Sequence, residues 1–216
     1  MSTLWFAIFS SEYLNLNTMP VDRVVIDADN SCLFNAVAYI FQGCLPDDPS
    51  IFRSLASEYI KSHPDDFSEV VLEMPVQDYC DKLLQPDTWG GLIELVALAN
   101  QLSIEIVSVD VETKRFDRIT PTSKTFSKGF VIYSGIHFDA VHDISGSEVR
   151  TLFDIGDQDI EQHVLSLVTE LNRKRDFTNV SKFKLQCQVC FAGLIGQQDA
   201  VEHAQKTGHA NFAEMK

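Results

Sequence analysis

With 216 residues, 45% of them hydrophobic and 22% charged, the chain can bury one sizeable core plus a small module and is too apolar to be a disordered one. Lys and Arg total 17 against 31 Asp and Glu, and the net charge of −14 repels phosphate backbones, which argues against nucleic acid or an anionic membrane and favours a basic protein partner. Cysteines at 32, 44, 80, 187 and 190 make an odd count without a secreted disulfide framework, which points to a reducing compartment, the cytoplasm with the nucleus as a second site.

Residues 1–20 form an N-terminal extension. Its apolar start, Leu4 to Phe9, is too short to span a bilayer and has no basic residue before it, so it reads as a docking strand or a frayed end rather than a secretory signal. The strand-like Val24-Val25-Ile26 then leads into Asp29-Asn30-Ser31-Cys32-Leu33-Phe34, after which Ala36, Val37, Ile40 and Phe41 continue the spacing of a buried helix face. Cys32 is therefore expected in the first helical turn. Free N–H groups and the positive end of the helix dipole there favour thiolate, lowering the pKa from about 8.5 toward roughly 3.5–7.5 once a histidine approaches. The same N–H groups can hold an oxyanion. The plainer reading of Cys32 is a small packing residue, which is how Cys44 and Cys80 are read, so the presence of a partner decides.

Ser50 is expected to cap a helix reaching about Lys61, with Ile51, Leu55, Tyr59 and Phe52 facing inward and Pro64 stopping it. A second helix covers about 76–84. Trp89-Gly90-Gly91 is either an ordinary loop or a place where the missing Cβ atoms let another backbone approach closely. The following helix, 92–102, reads as buried nearly all round. Strands are expected at 104–109, 114–119, 130–133 and 138–142, giving a small antiparallel sheet of about five strands packed between helices, an α+β fold. Along the last strand Asp139 shares a face with His137 while Phe138 turns to the core, so a carboxylate stands beside an imidazole, and a base held by an acid and aimed at a thiol is the arrangement of cysteine hydrolases. His142, at i+5 from His137, falls on the other face and reads as a surface or core-edge histidine.

Residues 144–159, rich in Asp, Ser, Thr and Gly, read as a linker, and a helix over 160–175 follows with Val164, Leu167, Val168 and Leu171 on one face. The last module, 182–216, holds Cys187-x2-Cys190-x12-His203-x5-His209. Two thiolates and two imidazoles at that spacing satisfy one tetrahedral, structural zinc in a ββα-like finger, its helix beginning near Gln198. Four lysines and no arginine from Lys182 onward, with Gln197, Gln198 and Asp199 where a base-reading helix needs Arg, Lys or Asn, make a protein-facing or purely structural finger the better reading. No internal repeat or low-complexity tract is visible.

Three blocks, Ala28 to Phe34, Asp87-Thr88-Trp89-Gly90-Gly91 with Glu94-Leu95, and Tyr133 to Asp139, resemble in order and spacing the ovarian-tumour (OTU) family of deubiquitinating cysteine proteases, in the subtype that ends in a Cys2His2 finger. The resemblance covers about residues 21–216. It implies a catalytic domain at 21–145, a linker and helix at 146–181 and the finger beyond. It implies Cys32 as nucleophile, His137 as general base, Asp139 as the orienting acid and Asp29 in the loop that shapes the oxyanion hole. Segments 24–30, 87–93 and 133–137 would then grip the ubiquitin tail, with Trp89, Gly90, Gly91 and Ile136 as substrate-binding residues; Glu94 and Asp87 either meet the tail's arginines or are solvated surface charges, the second being the commoner case for such carboxylates. The implied activity is hydrolysis of isopeptide or ester bonds at ubiquitin's C-terminal glycine, on ubiquitin and polyubiquitin chains, in protein quality control and ER-associated degradation. Relatives of this subtype reach a AAA ATPase segregase through an N-terminal ubiquitin-like domain, so the resemblance makes such an ATPase a possible partner, one that the first 20 residues, too short to encode that domain, do not themselves account for. The alternative reading is a catalytically inert ubiquitin-binding or zinc-finger adaptor; an intact Cys32, His137 and Asp139 favours the enzyme.

Overall fold

The computed structural model describes residues 20–46, 48–179, 184–209 and 212–214, so the expectation for Leu4 to Phe9 lies outside them. The chain forms β1 (Val21–Val24), α1 (Cys32–Gln42), α2 (Ser50–Ser62), α3 (Glu69–Leu72), α4 (Val76–Leu83), α5 (Leu92–Leu102), β2 (Glu105–Asp110), β3 (Phe116–Ile119), β4 (Ser127–Tyr133), β5 (Phe138–Asp143), β6 (Phe153–Asp154) and α6 (Gln158–Lys174). The finger follows with β7 (Lys184–Cys187), β8 (Gly193–Ile195), α7 (Gly196–Thr207) and β9 (Phe212–Glu214).

The main sheet runs β1-β5-β4-β2-β3, with β6 paired to β4. It is mixed rather than antiparallel. Between β2 and β4 the chain makes an edge hairpin with β3 and then crosses back, so β4 starts at the same end as β2 and the two pair in parallel, Val107 opposite Phe130. A crossover of this kind leaves no local sequence signal, because it joins strands across a long connection.

Helices α1 to α5 cover one face of the sheet, where Phe34, Val37, Ile40, Leu98, Ile106 and Val131 form the larger core. The second face is covered by α6. Val164, Leu167, Val168 and Leu171 meet Val107, Val109, Phe130, Ile132 and Val141 in a second core, so the helix expected after a linker is the outer layer of the catalytic fold. The wholly buried Lys128 locks that layer, donating from Nζ to the carbonyls of Ile155 and Asp157 and to the Glu161 carboxylate. Asp157 caps α6 by accepting from the Ile160 N–H at 3.1 Å.

Two helices present different faces from those expected. On α2 the inward residues are Phe52, Arg53, Ala56, Tyr59 and Ile60, while Ile51 is exposed, because the helix turns to bury an arginine. On α5, Leu92 is 67% exposed and so the helix is not buried all round. Cys80 is in the core as expected, but Cys44 lies exposed beyond the end of α1. No helix among the described residues is long and apolar enough to cross a membrane.

Candidate active site

Cys32 is the first residue of α1, and the first i to i−4 bond of that helix runs from the Asn35 N–H to the Ser31 carbonyl at 2.9 Å. The N–H groups of Cys32, Leu33 and Phe34 therefore precede the helical ladder. The preceding loop is held by Asp29, whose Oδ1 accepts from the Ser31 N–H at 2.9 Å and whose Oδ2 accepts from the Asn35 amide at 3.1 Å, and Asn30 takes the left-handed conformation with φ 65°. Asp29 is thus an organiser of the loop.

The backbone N–H groups of Phe138 and Leu33 lie near enough to the Cys32 sulfur to favour its charged form, and Cys32 and Phe138 line the same groove, which places the nucleophile candidate near the start of β5. Burial nonetheless dominates. It pushes the Cys32 thiol up, the carboxylates of Asp29 and Asp139 add to the rise, and the two N–H groups only partly offset it. The expected lowering of this thiol's pKa is therefore not met in the unliganded structure. First-turn geometry alone does not set the protonation state when the sulfur is half-buried beside two carboxylates.

His137 sits just before β5, and its Nε2 is 3.1 Å from Asp139 Oδ1. Asp139 is 3% exposed and firmly held: its Oδ1 also accepts from the Ile26 N–H at 2.9 Å, and its Oδ2 is 3.4 Å from Arg23. The expected face-sharing of His137 and Asp139, with Phe138 turned into the core, is what the fold builds. His142 instead bonds the Tyr39 hydroxyl through Nδ1 at 2.8 Å.

Cys32 opens onto a groove of about 960 Å³. Trp89, Gly90, Gly91 and Leu92 line it on one side, Gly135, Ile136 and Thr178 are also among its lining residues, and Asp110, Arg115 and Asp117 line it further along. Trp89, Gly90, Gly91 and Ile136, the four expected substrate-binding residues, are all in that lining, whereas Asp87 and Glu94 are not. Trp89, Leu92 and Ile136 expose 62%, 67% and 45% of their surface, an apolar rim of the kind that receives another chain.

The glycines differ in why they are glycines. A Cβ on Gly90 would stand 3.0 Å from Phe34 Cζ, so packing on α1 demands its absence, whereas a Cβ on Gly91 would meet only Glu94 Oε2 at 4.0 Å. Glu94 is not free to face an arginine. It is 2% exposed, its Oε2 accepts from the Gly91 N–H at 2.7 Å in capping-box fashion, and its Oε1 accepts from the Tyr79 hydroxyl, whose pKa burial and Glu94 together push far above the ordinary tyrosine value. Asp87 is exposed beyond Trp89, outside the groove.

Arg53 was not legible as a site residue, and it joins the two loops that form the groove. This 1%-exposed side chain donates from Nη1 to the carbonyls of Leu83 (3.0 Å) and Thr88 (2.8 Å) and from Nη2 to Asn30 O (3.0 Å), Ser31 Oγ (3.0 Å) and Pro86 O (3.2 Å). Its guanidinium also lies 4.3 Å from the Phe34 ring centroid. Trp89 adds a bond from Nε1 to Asn30 Oδ1 at 2.7 Å.

In the finger, the donor atoms of Cys187, Cys190, His203 and His209 all lie within 4.8 Å of one another. Cys190 Sγ is 3.4 Å from His203 Nε2, and Cys187 Sγ is 3.7 Å from His209 Nδ1. With Zn–S about 2.3 Å and Zn–N about 2.0–2.1 Å, a tetrahedron has sulfur–nitrogen edges of about 3.5 Å, which these two separations match, and two thiols with two imidazoles are a donor set that suits zinc. His203 lies on α7, which starts two residues before the expected Gln198, and His209 follows its left-handed cap Gly208.

The family model for OTU-like cysteine proteases matches residues 27–131, and that for the C-terminal C2H2-type zinc finger of ubiquitin thioesterase OTU1 matches 181–215. Ubiquitin thioesterase OTU1 of Danio rerio is 41% identical over 92% of this chain and 67% of its own length, and that of Homo sapiens is 38% identical over 95% and 61%. The ovarian tumor domain-containing deubiquitinating enzyme 2 of Arabidopsis thaliana is 38% identical, over 90% of this chain and 97% of its own length. Among solved structures, an OTU domain in complex with ubiquitin superposes with a TM-score of 0.66 at 24% identity, covering 73% of this chain and 90% of that one, a likeness of fold. The chain spans 61% of the human relative's length.

Proposed function

This chain belongs to the OTU family of deubiquitinating cysteine proteases, and from that premise we propose that it hydrolyses the isopeptide or ester bond at the C-terminal glycine of ubiquitin, with Cys32 as nucleophile and His137 and Asp139 as its base and orienting acid. The observation that carries the reading is that Cys32 and Phe138, the residue between His137 and Asp139, line one groove rimmed by Trp89, Leu92 and Ile136, with His137 Nε2 3.1 Å from Asp139 Oδ1.

Asp139 accepts from His137 Nε2, which leaves Nδ1 as the acceptor for the thiol proton. Because the resting thiol is held neutral by burial, His137 takes that proton as sulfur attacks the glycyl carbonyl, and it returns the proton to the leaving amine or alcohol. The first-turn N–H groups of α1, held in place by Asp29, stabilise the oxyanion. Water then hydrolyses the thioester with His137 again as base. Gly91, which the fold itself would allow to carry a Cβ, is the position where the substrate's glycine backbone passes. The apolar rim accepts the residues that precede it.

The finger binds one zinc per chain in a structural role, since four protein ligands leave no position for water, and it faces protein or serves the fold alone, because Gln197, Gln198 and Asp199 stand where a base-reading helix carries Arg, Lys or Asn. The cellular setting proposed is protein quality control, including ER-associated degradation, in the cytoplasm and nucleus, on ubiquitin and polyubiquitin. Steady-state hydrolysis of a fluorogenic ubiquitin ester tests the assignment. Cys32→Ser abolishes turnover, and Asp139→Asn lowers kcat by about 100-fold or more with KM little changed. A folded Cys32→Ser protein that still turned over, or an Asp139→Asn protein with wild-type kcat, would remove these residues from their roles.

A further inference from the structure

Past the end of α6 the chain turns back over the loop that carries His137. Asp176 Oδ2 lies 2.8 Å from one terminal nitrogen of Arg23, and the other terminal nitrogen lies 3.4 Å from Asp139 Oδ2, whose partner oxygen holds His137. Phe177 packs against the second core. The Thr178 N–H donates to the Ser134 carbonyl at 2.7 Å. The Thr178 carbonyl passes so close over Gly135 that a Cβ built there would be 2.1 Å from it, and Gly135 has φ 101°. Thr178 is also in the groove lining. One short segment therefore touches the orienting acid through Arg23, pins the Ser134–Gly135 turn and walls the groove.

We propose that residues 176–178 are a strap that positions the His137 turn, with Arg23 as the positioning residue acting through Asp139, and that Thr178 is a specificity-determining contact for the bound chain. The proposal deepens the ubiquitin-hydrolase reading and rests on it for the substrate. Its physical basis is geometric. A turn closed by a left-handed glycine can move as a unit, and misplacing a catalytic group by about 1 Å costs up to about 100-fold in rate. The Arg23 fork holds two carboxylates in a fixed relation that a lysine, offering a point charge, reproduces only in part.

The experiment uses the full chain with zinc bound. Kinetics on the ubiquitin ester are measured far below the melting temperature for Arg23→Met, Arg23→Lys, Asp176→Asn and Thr178→Tyr, with the ring NMR resonances of His137 recorded at one pH for each. Asp176→Asn and Arg23→Met are expected to lower kcat by about 10- to 100-fold at unchanged KM and to shift the His137 resonances, with Arg23→Lys recovering part of both. Thr178→Tyr is expected to raise KM by about 10-fold at near-normal kcat. If Arg23→Met and Asp176→Asn keep wild-type kcat and wild-type His137 resonances, the strap has no positioning role; an unchanged KM in Thr178→Tyr removes its specificity role. If the wild-type chain leaves ubiquitin esters intact while the His137 resonances still respond to Asp176→Asn, the substrate reading fails and the positioning role stands.

Discussion

Replacing Arg53 by methionine removes five donated hydrogen bonds and the guanidinium's contact with the Phe34 ring at once. Two of the acceptors, Leu83 O and Ser31 Oγ, are in wholly buried bonds, and the other three, at Thr88, Asn30 and Pro86, are partly reached by water. A buried acceptor left unpaired costs about 1–3 kcal/mol, and relief from burying the guanidinium returns part of that, so the net loss is about 2–4 kcal/mol. For a chain of this size that lowers the melting temperature by about 5–15 °C. Urea unfolding should show a lower midpoint at unchanged slope, with Arg53→Lys intermediate because three donors cannot serve five acceptors. Labelling of Cys32 should also slow, because the same bonds tie the Asn30–Ser31 loop to the segment leading into Trp89. A loss below about 1 kcal/mol would refute the role assigned to this side chain.

The two glycines of the groove should separate. Gly90→Ala destabilises the fold by about 1–3 kcal/mol by overpacking against Phe34, seen as a lowered melting temperature, while Gly91→Ala leaves the melting temperature unchanged and raises KM for ubiquitin substrates. In a Cys44→Ala background, alkylation of Cys32 by iodoacetamide should rise with pH through a midpoint above that of a free thiol, since burial and the Asp29 and Asp139 carboxylates disfavour the thiolate; a plateau reached below neutral pH would contradict this. Chelating the metal, or Cys190→Ser, should unfold residues beyond about 183 and leave cleavage of a minimal ubiquitin ester intact, because the strap is held by the catalytic fold; metal analysis with activity before and after chelation checks it.

What was legible in the sequence was what local pattern and spacing encode. Cys32 begins α1, His137 and Asp139 are side by side at the start of β5, and the four residues of C-x2-C-x12-H-x5-H are drawn together, as their spacing implied. Arg53 was not legible, since apolar periodicity treats an arginine as solvent-facing and only the tertiary fold brings five oxygens around it. The polar run 144–159 hid β6 and the attachment of α6 to the sheet, because Lys128 meets its carbonyl partners only after the crossover. Glu94 had a usable signal. Gly91-x-x-Glu94 before an apolar run is capping-box spacing, and it argues for a carboxylate bound to its own helix start rather than to a substrate arginine. The thiol's raised pKa belongs to burial, which first-turn position does not report.

The central claim is that Cys32 attacks the carbonyl at ubiquitin's C-terminal glycine. A ubiquitin carrying a C-terminal electrophile, reacted with the wild-type chain and mapped by peptide mass spectrometry, tests it most directly. One adduct per chain is expected, on Cys32, lost in Cys32→Ser and unaffected in Cys44→Ala and Cys80→Ala. An adduct on another cysteine, or none in a folded wild-type chain, would contradict it.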